Sequence, residues 1–229
     1  MIKGFKMFIL FAVIAFNASI ASENSNLQTQ ETSQIKDEII VPTKIVENFF
    51  NQLNTFEAKF IQIDNKNNQY NGVLTLKKVG KIRLEYTSGI PITVAVKDNI
   101  ITYYDAKREQ ISHISTEKTM VSLLTKRVFL FTDPDVKLIN QSQTDETITI
   151  QFEKTSMPEE GSFVFIFKRT NKNKPISAIN LDLAEIKVIA QSGEITTLKI
   201  LKTAYNKTVD DSKFIIKNAK TQIDNKFKE

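Results

Sequence analysis

The stretch YNGVLTLKKVGKIRLEYTSGIPITVAVKDNIITYYD, Tyr70 to Asp105, sets the class of this fold. Apolar and polar residues alternate along it in short blocks, and the blocks break at Val79-Gly80, Ser88-Gly89 and Asp98-Asn99, all residue pairs suited to turns. That pattern predicts a meander of antiparallel strands. If Leu74 and Leu76 face a core, the period of two places Lys78 on the same oily face, where an ammonium is costly unless it finds a partner.

The same period continues outward in both directions. Candidate strands lie at 56–63, 70–78, 81–87, 92–96, 100–104 and 110–114. A second group lies at 136–140, 147–152, 162–168, 176–183 and 195–201, with a short edge at 213–216. Between the groups, Met120, Leu123 and Leu124 fall at helical spacing within 118–126, ahead of the apolar cluster 128–131. At the front, Ile45, Val46, Phe49, Phe50 and Leu53 form a wide apolar stripe that predicts a helix over 42–54, with Pro42 suited to its first turn. So many strands exceed a minimal sandwich of about seven. The expected fold is mainly β: a large curved antiparallel sheet or incomplete, unclosed barrel of about eleven strands, with an N-terminal helix and a helical lid.

The compartment is read from residues 1–21. Lys3 and Lys6 precede the apolar run Met7 to Phe16, and Ser19-Ile20-Ala21 offers a small-x-small cleavage site. The run is well short of the roughly 20 apolar residues that a membrane-crossing helix needs, so it is read as a secretory signal peptide. Residues 22–41, rich in Ser, Asn, Gln, Thr and Glu, are read as a flexible leader. Residues 42–229 then form one domain. The chain has no cysteine, which excludes disulfide staples and a lipid-modified N-terminal Cys.

Catalysis and nucleic-acid binding find little support. The net charge is +5, two units of it from Lys3 and Lys6, and the remaining basic residues are interspersed with acidic ones rather than gathered in a block. His113, the one histidine, sits in the strand-like ISHIS without a nucleophile motif beside it, and with no Cys the familiar zinc sites are all but excluded. No enzymatic activity, cofactor, metal or nucleic acid is expected.

The chain resembles the outer-membrane lipoprotein carrier protein (LolA) family. The resemblance is carried by the signal peptide, the amphipathic helix ending in Asn54-Thr-Phe-Glu-Ala-Lys-Phe-Ile-Gln62, the Gly72-x-Leu74 strand, LKKVGKIRLEY, the aromatic strand closing on Tyr104-Asp105, and more weakly Ser212 to Ile216. It implies a periplasmic chaperone, expected to be a monomer, whose unclosed barrel and helical lid enclose an apolar cavity for the acyl chains of lipoproteins. Such a carrier receives cargo from an inner-membrane ATP-driven release complex and hands it to an outer-membrane receptor.

The family's Arg-Pro-x-x-Phe-x-Trp falls on Lys78 to Leu84, where Lys78, Val79, Ile82 and Leu84 replace the four named residues. The family Arg holds the lid by hydrogen bonds to lid backbone. Lys78 is therefore the expected latch, weaker because an ammonium lacks the planar fork of a guanidinium. The alternative is that Lys78 extends its head to solvent and buries only its stem. Strand parity selects Phe60, Leu74, Leu76, Ile82, Leu84, Ile92, Val94 and Val96 as candidates for the lipid-cavity lining. A lipocalin-like binder of a small apolar ligand is the competing functional reading, and a structural module without a cavity a third.

Overall fold

The structure is a computed structural model describing residues 42–216. The signal peptide (1–21) and leader (22–41) expected from sequence lie outside the described residues, as do 217–229. The chain opens with helix α1 (Pro42–Gln52) and continues as β1 (Thr55–Ile63), β2 (Gln69–Lys77), β3 (Lys81–Tyr86), β4 (Ile92–Lys97), β5 (Ile100–Asp105) and β6 (Gln110–Ser115). A short helix α2 (Val121–Thr125) precedes β7 (Val136–Gln143), β8 (Thr147–Lys154), β9 (Ser162–Arg169), β10 (Leu181–Ile189) and β11 (Ile195–Tyr205).

All eleven strands form one antiparallel sheet in the order β6-β5-β4-β3-β2-β1-β11-β10-β9-β8-β7. The expected count and the unclosed barrel are thus met. Chain order explains why the barrel stays open. Strands β6 and β7 are neighbours in sequence but occupy opposite edges, so residues 116–135 must cross the gap between them. The first and last strands meet instead in the middle of the sheet, where Phe56 faces Tyr205 and Ile63 faces Thr197.

Turn chemistry confirms the meander. Asp98 and Asn99 both adopt positive φ (52° and 61°), the requirement of a two-residue turn matched to strand twist. Asp64 closes the β1–β2 turn by accepting from the backbone N–H groups of Lys66 and Asn68 at 2.9 and 2.8 Å. Register shifts at Lys59/Phe60, Leu183/Glu185 and Leu138/Asn140 add local twist, which helps to bend the sheet around its core.

Alternate residues of the sheet point to the concave side and form the core with α1: Phe60, Leu84, Val94, Phe152, Phe165 and Phe167 are all buried. Toward the far end of β1 the ring of Phe60 lies over Gly72 and meets Tyr86 edge-on at 5.6 Å. The buried Tyr86 hydroxyl bonds to the Gln62 side chain, and burial pushes its pKa up.

Two sequence expectations are corrected. The strand placed at 176–183 is a loop with a 3-10 turn at Ala178–Asn180, and β10 starts only at Leu181. Asn180 is buried and donates its side-chain amide to the carbonyls of Asn171, Lys174 and Pro175, which ties the loop to itself rather than to a ladder. The edge strand expected at 213–216 is instead a 3-10 turn, Asp211–Phe214, capped by Asp210. It packs on the convex face, where Lys77 and Lys81 both reach Asp211 at 2.6 Å and Ile216 buries against Ala95.

A Cβ at Gly72 would stand 2.3 Å from Cζ of Phe60 and 2.6 Å from the Glu85 carbonyl oxygen. Gly72→Ala is therefore expected to destabilise the fold by about 1–3 kcal/mol through overpacking. Phe60→Leu in the same chain should return part of that loss, as read from the urea midpoints of the two single variants and the double.

Candidate functional site

Helix α1 lies across the concave face because β1, which follows it after two residues, is central in the sheet. Its stripe is aromatic at the contact. Phe49 meets Phe167 at 4.9 Å and Tyr205 at 5.8 Å, while Phe50 meets Phe165 at 5.1 Å and Phe129 at 5.4 Å. Phe129 belongs to the segment crossing between the sheet edges, where it also packs on Phe131 and Phe152.

Two polar residues on α1 fix that segment in register. The amide of Asn51 accepts from the Phe129 N–H at 2.8 Å and donates to the Phe129 carbonyl at 2.9 Å, as a neighbouring strand would. One turn earlier, buried Glu47 accepts from the Phe131 N–H at 2.8 Å. The match is geometric. Four helical residues rise about 6 Å, a spacing at which positions 47 and 51 reach the N–H groups of 131 and 129.

Between α1, this segment and the sheet lies a cavity of about 50 Å³. Its walls are Phe49 and Phe50 of α1, Leu53 just after it, Leu124 of α2, Phe129, and side chains from β1, β2, β3, β9, β10 and β11. Lys78 is the one charged residue among them. A buried water needs about 10–15 Å³ of such space, and pockets that hold ligands measure roughly 300–1,000 Å³. The space is therefore nearly closed, filled by the protein's own phenylalanines.

Of the residues singled out from sequence, Lys78, Leu74, Leu76, Ile82 and Leu84 line this cavity together. Phe60, Ile92, Val94 and Val96 are buried on the same concave side but outside its walls. Parity selects the face of a strand, and depth along the barrel is a separate matter. Lys78, just beyond the end of β2, is half-buried. Its Nζ donates to the Arg127 carbonyl at 3.3 Å and to Asn51 Oδ1 at 3.4 Å, both long contacts, and burial lowers its pKa. Glu47 and Asn51 were not anticipated. Their signal was two polar residues four apart beside an apolar helix stripe, with no sequence cue to their partner.

Among the described residues no helix is long and apolar enough to cross a membrane, and no cluster of three or more His, Cys, Asp or Glu is placed to hold a metal. Residues 51–217 match the sequence profile of the family "Outer membrane lipoprotein carrier protein LolA".

The chain belongs to the LolA family. Its members are carriers that bind lipoproteins or lipids. Three solved structures are similar to the chain to differing degrees. A domain described as outer membrane lipoprotein-sorting, from Vibrio parahaemolyticus, is similar with a TM-score of 0.50 at 9% identity, covering 77% of this chain and 97% of that one. A LolA superfamily protein from Nitrosomonas europaea gives 0.39 at 9% identity, covering 76% and 98%. A DUF1329 protein from Desulfovibrio piger gives 0.47 at 10% identity, covering 80% and 99%. The comparison with curated proteins gives no match.

Removing the Asn51 side chain breaks both bonds to Phe129. Asn51→Ala should raise the rate of tryptic cleavage at Lys126 and Arg127 in the otherwise folded protein by roughly five- to thirtyfold, the effect of one to two kcal/mol. Electrophoresis of a timed digest reads it. Cleavage at the wild-type rate would mean the segment is held by its apolar contacts alone.

Proposed function

We propose that this LolA-family chain is a periplasmic carrier that takes the acyl chains of lipoproteins into the space between α1, residues 120–131 and the sheet. It would receive them from an ATP-driven release complex at the inner membrane and pass them to a receptor at the outer membrane. One observation carries the reading most directly: a chamber that is apolar but for Lys78, nearly closed at rest, two of whose walls are not part of the sheet. The family match and the signal peptide read from residues 1–21 support the route and the compartment.

The chemistry fits a transient load. Acyl burial contributes about 0.8 kcal/mol per CH₂, so a lipidated cargo supplies the free energy to displace Phe49, Phe50 and Phe129 from one another and take their place. What it gains is the difference between lipid contacts and the aromatic contacts it breaks. Release then requires a receptor whose contacts are better still, since transfer is a difference of affinities. A lipocalin-like small-ligand site would hold its volume open, and a cavity of about 50 Å³ does not favour that reading.

In this scheme Lys78 is the catch. Its ammonium joins the end of β2 to the Arg127 carbonyl and to Asn51 at distances that leave both bonds weak. Arg127, Val128 and Leu130 are exposed around it, so the catch lies where cargo or a partner arrives.

The carrier reading is tested by purifying the protein from the periplasm of its own cells and measuring intact mass under native conditions. Masses of bound triacylated lipoproteins are expected; a small free ligand in their place would overturn the assignment. Depletion should leave lipoproteins at the inner membrane. For the catch, Lys78→Leu should speed uptake of a fluorescent triacylated lipopeptide several-fold in stopped-flow mixing, and an unchanged rate would remove Lys78 from the mechanism.

A further inference from the structure

The segment crossing the barrel gap is a loop with a neck. Its two roots, at residues 117–119 and 135, come together at the end of β8, and the group between them is Lys154. This lysine is 4% exposed. Its Nζ donates to the Glu117 carbonyl at 2.5 Å and the Thr119 carbonyl at 3.4 Å, and stands 3.8 Å from Asp135 Oδ2. Asp135 is itself tied to the strand that carries Lys154: its carboxylate accepts from the Ser156 N–H at 2.9 Å and its carbonyl from the Thr155 N–H at 3.0 Å. One strand end thus grips both roots.

Buried Glu160, in the turn before β9, adds a second grip. Its Oε2 accepts from the Met120 N–H at 2.8 Å, just ahead of α2. Burial pushes its carboxyl above the ordinary range, as expected for a dry site. The far end of the loop is held differently. Residues 127–131 are fixed by Asn51 and Glu47 on α1 and by the long contacts of Lys78. A buried charge is costly unless its hydrogen bonds are made, so the carbonyls of Glu117 and Thr119 are hard for Lys154 to release. The half-buried ammonium of Lys78 can exchange its partners for water.

We propose that Lys154, assisted by Glu160, is the fixed pivot of the lid, and that opening swings residues 121–131 about this neck while 117–120 and 135 stay docked. Lys154 is a positioning residue: it does not line the cavity, and it returns the lid to one closed register after each opening. The use of that motion for cargo rests on the carrier reading above; the motion itself does not.

Site-resolved amide hydrogen exchange by NMR on the full mature chain, without lipid, tests it. In the wild type the Met120 amide should exchange only with global unfolding, and those of Phe129 and Phe131 through a lower-energy opening. Asn51→Ala should raise exchange at Phe129 and Phe131 roughly five- to thirtyfold and leave Met120 unchanged. Lys154→Met should raise exchange at Met120 as well, whereas Glu160→Gln, which keeps an acceptor, should hold Met120 closer to wild type than Glu160→Ala.

Equal acceleration at 120, 129 and 131 in Asn51→Ala would mean that the loop detaches whole and would overturn the pivot. So would wild-type protection at Met120 in Lys154→Met. If that variant fails to fold, the wild-type and Asn51→Ala profiles still decide. Binding of a synthetic triacylated lipopeptide by the wild type is scored separately: a pivot without binding refutes the carrier reading alone, and binding with uniform exchange refutes the pivot alone.

Discussion

The pairing of β1 with β11 governs everything else in this molecule. Joining the first and last strands in the centre of the sheet makes the closure through the terminal strands that an up-and-down barrel would make, and leaves β6 and β7 as the two unpaired edges. The opening therefore falls between β6 and β7. The same pairing delivers α1 to the middle of the concave face, since only two residues separate the helix from β1. A sheet with one exposed inner face must cover it with something. Here the cover comes as two separate pieces, a helix and a loop, because neither alone spans the width of eleven strands.

Those two pieces meet through a register that no apolar contact would specify. Phenylalanines slide over one another at little cost, whereas the bonds of Glu47 and Asn51 to residues 131 and 129 accept one alignment. The design separates tasks: aromatic area provides cohesion that lipid is able to replace, and a few polar bonds provide position. A chamber whose stability came mainly from polar bonds would be hard to exchange for acyl chains, since lipid satisfies no donor or acceptor.

Much of the sheet was legible from alternation and turn chemistry, most plainly in the meander from Tyr70 to Asp105. Legibility failed where periodicity was imitated or broken. Ile176 and Ala178 look like a strand beginning, yet the chain there curls around the Asn180 amide. The true β10 was obscured by the shift at Leu183/Glu185, which disturbs the period of two. In the site, parity identified the inner face but not height along it, so Val94 and Val96 looked equal to Leu74 and Leu76. Lys78 was visible as a charge out of place. Lys154 continues the inward parity of Ile148, Ile150 and Phe152, but its partners are backbone carbonyls from a distant segment, which have no sequence signature.

The near-absence of empty space has a further consequence for signalling. A receptacle that keeps its volume when vacant looks the same from outside whether filled or not. This one does not, since admitting an acyl chain into so small a space requires α1 and residues 121–131 to stand away from the sheet. Occupancy is thereby expressed as outward shape, so that a laden molecule differs in contour from a vacant one even where the lipid within stays covered.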